Sequence, residues 1–182
     1  AKQIQSAARQ LDRMIRNLLD ISRGEEGALQ PVRAPVELEP LARAIFDDLG
    51  VVAGLSRVTL RSRLEVATIS ADAELLRRAL TNLVENAIRH APKNTEVELA
   101  ARLDTEEVEL RVADRGKGVP ESLRPRIFDA FVAGDAEARP SSRRGFGLGL
   151  SFCKLVAEAH GGTIAIEDSE PGAVFVMRFP AR

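Results

Sequence analysis

Three polar residues in the stretch LTNLVENAIRHAP (Leu80–Pro92) have the types and spacing to hold a charged ligand: Asn82, Asn86 and Arg89. At about 100° per helical residue they fall within a fan of roughly 60° on one face. Leu76, Ala79, Leu80, Leu83 and Ala87 supply the buried side. A neutral amide oxygen can ligate a hard cation such as Mg²⁺, which keeps most of its waters and takes few protein ligands. Arg89 then offers positive charge to the same anion. Mid-helix asparagines that merely face solvent are the alternative, and for Asn82 alone that reading suffices. Glu85 lies roughly 60° from Asn82, within reach of water or Mg²⁺, or simply exposed.

Two glycine-rich segments follow. Asp114-Arg115-Gly116-Lys117-Gly118 closes the alternating run Val108–Ala113, and Gly145-Phe146-Gly147-Leu148-Gly149-Leu150 opens an apolar-periodic helix. Either alone is weak, because such spacings recur by chance. Together with the asparagine helix, in this order, they resemble the N, G1, F and G2 boxes of sensor histidine kinases of two-component systems. The resemblance covers the Bergerat-type (GHKL) ATP-binding catalytic domain from about Val36 onward. Ala1–Gly27, with the NLLDISRGEEGAL stretch at Asn17–Leu29, resembles the second helix of the dimerisation and histidine-phosphotransfer hairpin.

The resemblance implies ATP and Mg²⁺ as cofactors, with Asn86 as metal ligand and Asn82, Glu85, Asn86 and Arg89 as the catalytic group. Asp114 would accept a hydrogen bond from the adenine amino group, with Gly116 and Gly118 leaving room for the base and His90 near the nucleotide. The RIFDAF run at Arg126–Phe131 matches the F box, so Phe128 and Phe131 are expected to anchor a lid running roughly from Val119 to Phe146. Gly145, Gly147 and Gly149, in one segment with Phe146, Leu148 and Leu150, would bring backbone N–H groups and a helix N-terminus to the phosphates. Arg143 and Arg144 could add charge-assisted contacts; an exposed basic pair is an equal reading.

Where the gyrase and Hsp90 branch of the superfamily carries a water-activating glutamate, this chain has Asn82, which is no general base at neutral pH. That pattern fits transfer of the γ-phosphoryl group by positioning, with little hydrolysis. The family's phosphoacceptor histidine, in an H-E/D-x-x-x-P context, has no match: His90 and His160 both lie elsewhere. The chain is therefore expected to start partway through its hairpin and to use a histidine supplied in cis or trans, with a response-regulator receiver domain as the next acceptor. Two departures stand out. Val132-Ala133-Gly134-Asp135 replaces the usual aromatic and arginine after the F box, and Ala173-Val174 stand where threonine is common. They keep open the alternative of a degenerate module acting as a dimerising or regulator-binding scaffold.

The elements that must position these residues follow from composition and periodicity. The 182 residues are 45% hydrophobic and 29% charged, with a formal net charge of −1. This is a globular composition without the basic tract that nucleic-acid binding requires. No apolar run nears the roughly 20 residues that cross a bilayer. These features point to a cytoplasmic chain making no membrane contact of its own, with any anchor of a parent protein outside it. The single cysteine, Cys153, sits among Leu150, Leu155 and Val156 and reads as core.

Leu11, Met14, Leu18 and Ile21 step by three, four and three, a bundle seam that needs partner helices. A homodimer through this helix is expected once the hairpin is complete; docking on its own domain is the alternative. Residues 1–29 are thus assigned to a partial hairpin, 30–36 to a Pro-containing linker and 37–182 to the ATP-binding domain. Helices are expected over Glu37–Ser56, from Asp72 as N-cap to Pro92, and over Leu148–His160. Strands are expected at Val58–Leu64, Ala67–Ser70, Val97–Leu103, Glu107–Ala113, Thr163–Glu167 and Ala173–Phe179. Helices segregated from a mixed, mainly antiparallel sheet make an α+β two-layer sandwich.

Overall fold

The computed structural model describes residues 15–22, 29–132 and 147–181. Residues 15–22 are helical (α1). They are followed by β1 (Ala34–Glu37), α2 (Leu38–Ser56), β2 (Thr59–Leu64), β3 (Thr68–Ala71), α3 (Ala73–His90), β4 (Glu96–Asp104), β5 (Glu107–Ala113), α4 (Gly149–Ala159), β6 (Thr163–Asp168) and β7 (Ala173–Pro180). Five strands form one sheet in the order β2-β4-β5-β7-β6, with β2–β4 parallel and the other pairs antiparallel. Helices α2, α3 and α4 cover one face, so the expected two-layer α+β sandwich is what the chain forms.

The strands owe their positions to strict alternation. In β4, Val97, Leu99 and Ala101 are buried and their neighbours are not, as a half-solvated antiparallel sheet requires. Their partners in the core include Val112 and Leu110 of β5, Phe175, Met177 and Phe179 of β7, and Leu76, Leu80, Leu83 and Ile88 of α3. Burying one such side chain contributes about 1.5–3 kcal/mol. Cys153 is buried in this core, where its thiol donates to the Ala79 carbonyl at 3.3 Å; burial pushes the thiol pKa up, away from reactivity.

The linker expectation needs correction at its end. Residues 34–36, placed in the linker, belong to β1, which pairs antiparallel with β3 in register Ala34↔Ala71 to Glu37↔Thr68. Pro35 is tolerated because this two-stranded sheet is all edge. The strap continues through Val32, whose N–H donates to Asp72 Oδ2 at 3.0 Å.

Asp72 is the N-cap of α3, as expected, its Oδ1 accepting from the N–H groups of Glu74 and Leu75 at 3.1 Å. Its own N–H donates to Nε2 of His160 at 2.9 Å. Accepting there forces the proton onto Nδ1, which donates to the Val156 carbonyl at 2.7 Å. A histidine at a helix C-terminus suggests a dipole-stabilised cation; this one is instead a buried neutral strut against Phe179. Burial first, with the nearby charge of Arg33, lowers its pKa against the opposing Val156 hydrogen bond and Asp72 charge.

The outer face of the sheet carries a second buried charge. Glu109 is 1% exposed and accepts from Arg102 and Arg178 at 2.7 Å and from Arg111 at 3.1 Å. Burial alone would raise its carboxyl pKa, but these three guanidinium groups hold it below the ordinary value.

A lowered His160 pKa means that the unfolded chain takes up the proton first as pH falls. The stabilisation is therefore complete above the ordinary imidazole value, about 6.5, and is lost on acidification toward the lower folded value. Denaturation midpoints at pH 8, 6.5 and 5 are expected to show this decline. In His160→Asn the decline flattens, with a loss at pH 8 of about 1–2 kcal/mol from the abandoned Asp72 N–H.

Candidate active site

Helix α3 presents the predicted polar face along the boundary of the sandwich. Leu76, Ala79, Leu80, Leu83 and Ala87 are buried, whereas Asn82, Glu85 and Asn86 are half-buried and Arg89 and His90 are exposed. Among the described residues the Asn82 and Asn86 amides make no protein hydrogen bond and Arg89 no ion pair.

One end of this face meets the start of α4. A Cβ placed on Gly149 would lie 3.7 Å from the Asn82 side chain, so the first turn of α4 rests on Asn82. The α4 N-cap is Leu148, which supplies no side-chain cap. The first N–H groups of the helix are thus available to an anion. Leu148 is buried and Leu150 packs against the core, which fixes this end while Gly147 turns at φ 71°.

The other end, about 12 Å along the axis, meets the loop after β5. Asp114 is 5% exposed; its Oδ1 accepts from the Gly116 N–H at 2.7 Å and its own N–H donates to the Ala173 carbonyl at 3.0 Å. A Cβ on Gly116 would stand 2.6 Å from the His90 carbonyl oxygen, so only glycine lets this loop lie against the end of α3. Burial raises the Asp114 pKa, partly offset by the Gly116 hydrogen bond, the positive field of His90 and the Ala173 N–H. Gly118 also adopts a positive φ, 74°, and faces the Gly172 carbonyl. Sequence reasoning brought Asp114 and its glycines to this place but missed Gly172, whose backbone clamps Asp114 from the β6–β7 turn.

Of the two phenylalanines in the RIFDAF run, Phe128 packs edge-on against Phe175 at 6.3 Å between ring centroids. Phe131 anchors differently: its ring is 68% exposed, and its backbone N–H donates to the Gly147 carbonyl at 3.1 Å. Residues 132 and 147 are therefore held together at the base. Arg143, Arg144, Gly145 and Phe146 lie outside the described residues. Among the described residues no cluster of His, Cys, Asp and Glu could hold a metal ion by itself.

A family model for histidine kinase-, DNA gyrase B- and HSP90-like ATPases matches residues 71–182, from the last residue of β3 onward. The chain belongs to this family. Its relatives in it are sensor kinases: the sensor protein KdpD of Escherichia coli is 34% identical over 182 residues, covering 99% of this chain and 20% of KdpD. The chain spans between about a fifth and under half of the length of curated relatives it matches. Among solved structures, full-length ShkA in complex with AMPPNP superposes with a TM-score of 0.79 at 29% identity, covering 99% of this chain and 39% of ShkA. The histidine kinase ThkA, solved in complex with the response regulator TrrA, gives 0.72 at 23% identity, covering 100% of this chain and 51% of ThkA. That second likeness is one of fold.

The clamp on Asp114 makes a sharp prediction. A methyl on Gly172, already at φ 112°, would fall 1.9 Å from the Asp114 carbonyl oxygen. Gly172→Ala is expected to destabilise the folded chain by about 2–4 kcal/mol, read as a lowered denaturation midpoint. Gly50→Ala, at an open position on α2, is expected to be neutral or stabilising by up to about 1 kcal/mol.

Proposed function

We propose that this chain is the catalytic part of a sensor histidine kinase, which binds Mg-ATP along α3 and delivers the γ-phosphoryl group to a histidine of the dimerisation hairpin, outside these residues. The observation that carries the reading is the buried Asp114, fixed by Gly116 and Gly172 at one end of a helix face whose other end meets the N-terminus of α4. A carboxylate so placed can accept from an adenine amino group, while Gly116 and Gly118 let the base approach the backbone. The phosphates would then run past Asn86 and Arg89 toward Asn82 and the uncapped first turn of α4 at Gly147–Leu150.

Magnesium, when bound, would neutralise phosphate charge and orient the transferred group. Asn86 would hold it through its amide oxygen. Asn82 would orient phosphate without abstracting a proton from water, and Glu85 flanks the same stripe. Arg89, with Arg143 and Arg144, would add positive charge for the phosphates. Chemistry of this kind rests on positioning and electrostatics and leaves the nucleophile to another segment.

Ile15, Leu18 and Leu19 of α1 are exposed. Such a face supports association with the remaining hairpin helices and a homodimer, with the histidine supplied in cis or trans. A response-regulator aspartate would be the final acceptor, a partner of the class with which ThkA was solved. A reaction that uses ATP and a receiver domain would take place in the cytoplasm.

Calorimetric titration of AMPPNP, the ligand of the ShkA structure, with and without Mg²⁺ tests the core of the proposal. Magnesium-dependent binding is expected, with the magnesium dependence lost in Asn86→Ala and affinity lowered about tenfold or more in Asp114→Asn. Absence of binding by the folded chain overturns the proposal and favours the scaffold.

A further inference from the structure

Arg78 plays no part in the arrangement described so far, yet its side chain is engaged on three sides. Its guanidinium donates through Nη1 to Asp20 Oδ2 and through Nη2 to Asn17 Oδ1, both at 2.7 Å, and lies 4.3 Å above the ring of Phe152. Asn17 and Asp20 belong to α1, Phe152 to α4. One planar cation therefore joins three helices by two charge-directed hydrogen bonds and a ring face, geometry that lysine cannot reproduce.

The surroundings exclude an incidental surface pair. Asn17 is 6% exposed although it is polar, and both partners of the Arg78–Asp20 pair are largely buried. Ile21, on the same side of α1, packs against the domain core. Meanwhile Ile15, Leu18 and Leu19 point away and are exposed. Helix α1 thus turns a polar edge to the domain and an apolar face outward, the reverse of an ordinary surface helix.

We infer that Arg78 is a positioning residue: it latches the nucleotide-binding domain onto the flank of the hairpin helix, in a pose that leaves the apolar face of that helix available for bundle formation. Docking and bundling use opposite faces of α1 and are compatible at once. The latch also sits one turn before Asn82 on α3, and its Phe152 lies one turn after Gly149, which rests on Asn82. It therefore fixes the orientation of the α3–α4 seam relative to the hairpin, and with it the direction in which a phosphoryl group would be presented. That last consequence rests on the nucleotide reading; the latch itself does not.

Hydrogen exchange of amides 17–22 in the 182-residue chain without nucleotide, at one fixed protein concentration, reads the latch directly. Arg78→Met and Asp20→Asn are each expected to accelerate exchange there about tenfold, with amides of β4 and β5 unchanged, and Arg78→Lys to fall between Met and the parent. The double variant is expected to match Arg78→Met alone, the signature of a shared interaction. AMPPNP affinity should remain within about twofold in Asp20→Asn, since Asp20 reaches the domain through Arg78. Unchanged exchange at 17–22 in Asp20→Asn and Arg78→Met, or independent effects that multiply in the double variant, overturns the inference. Failure of AMPPNP to bind the parent chain would instead strike the nucleotide reading and leave the exchange result to decide the latch.

Discussion

Helix α3 is held at four levels along its length, and the geometry of the site follows from that restraint. At its first turn Asp72 caps the helix while joining the β1–β3 strap and the His160 strut. One turn on, Arg78 reaches α1 and Phe152. Another turn on, Asn82 supports the start of α4, and at the end the His90 carbonyl receives the Gly116 backbone. Between these levels a continuous apolar stripe lies on the sheet. A helix so constrained cannot rotate by one residue without breaking a cap, an ion pair, a close backbone approach and the packing of α4 on Asn82. The side chains of Asn82 and Asn86 therefore face a defined direction, without hydrogen bonds to other described residues.

The two ends of the site are built by different physics. Near Asp114 the controlling quantity is distance: glycines at 116 and 172 admit backbone where any side chain would collide, and the resulting burial makes the carboxyl harder to ionise. Near Asn82 it is polarity, because the first turn of α4, which has no side-chain cap, lies against the Asn82 side chain. A ligand with a neutral, hydrogen-bonding end and a polyanionic end suits that division, which is the electrostatic content of the nucleotide proposal.

Local signals in the amino-acid order carried much of this. The Asp72 cap, the 3.6-residue stripe of α3 and the alternation of β4, β5 and β7 each depend on neighbours within a few positions, and each element was found where expected. The unforeseen features all depend on distant partners. β1 is four residues containing a proline and becomes a strand only because β3 lies beside it. Arg78 looks like any solvent-facing arginine of an amphipathic helix until Asn17 and Asp20, some sixty positions earlier, are brought to it. Glu109 occupies the polar phase of an alternating strand and reads as exposed, yet arginines from β4, β5 and β7 cover it. His160 has the local context of a helix-terminal cation, and only burial against Phe179 reverses its charge state. The seam expected through Ile21 divides for the same reason, since Ile21 packs on the domain while Leu18 stays outside.

The five-stranded sheet stops at β2, and how it stops has a consequence for self-association. Along TLRSRL the exposed positions are Thr59, Arg61 and Arg63, and Arg61 and Arg63 pair loosely with Glu96 and Glu65. A strand arriving from another molecule to extend the sheet would crowd and partly dehydrate two guanidinium groups for each copy added. Growth by strand addition is thereby disfavoured on this edge of the sheet, where each added copy would have to strip water from charged side chains that it cannot pair.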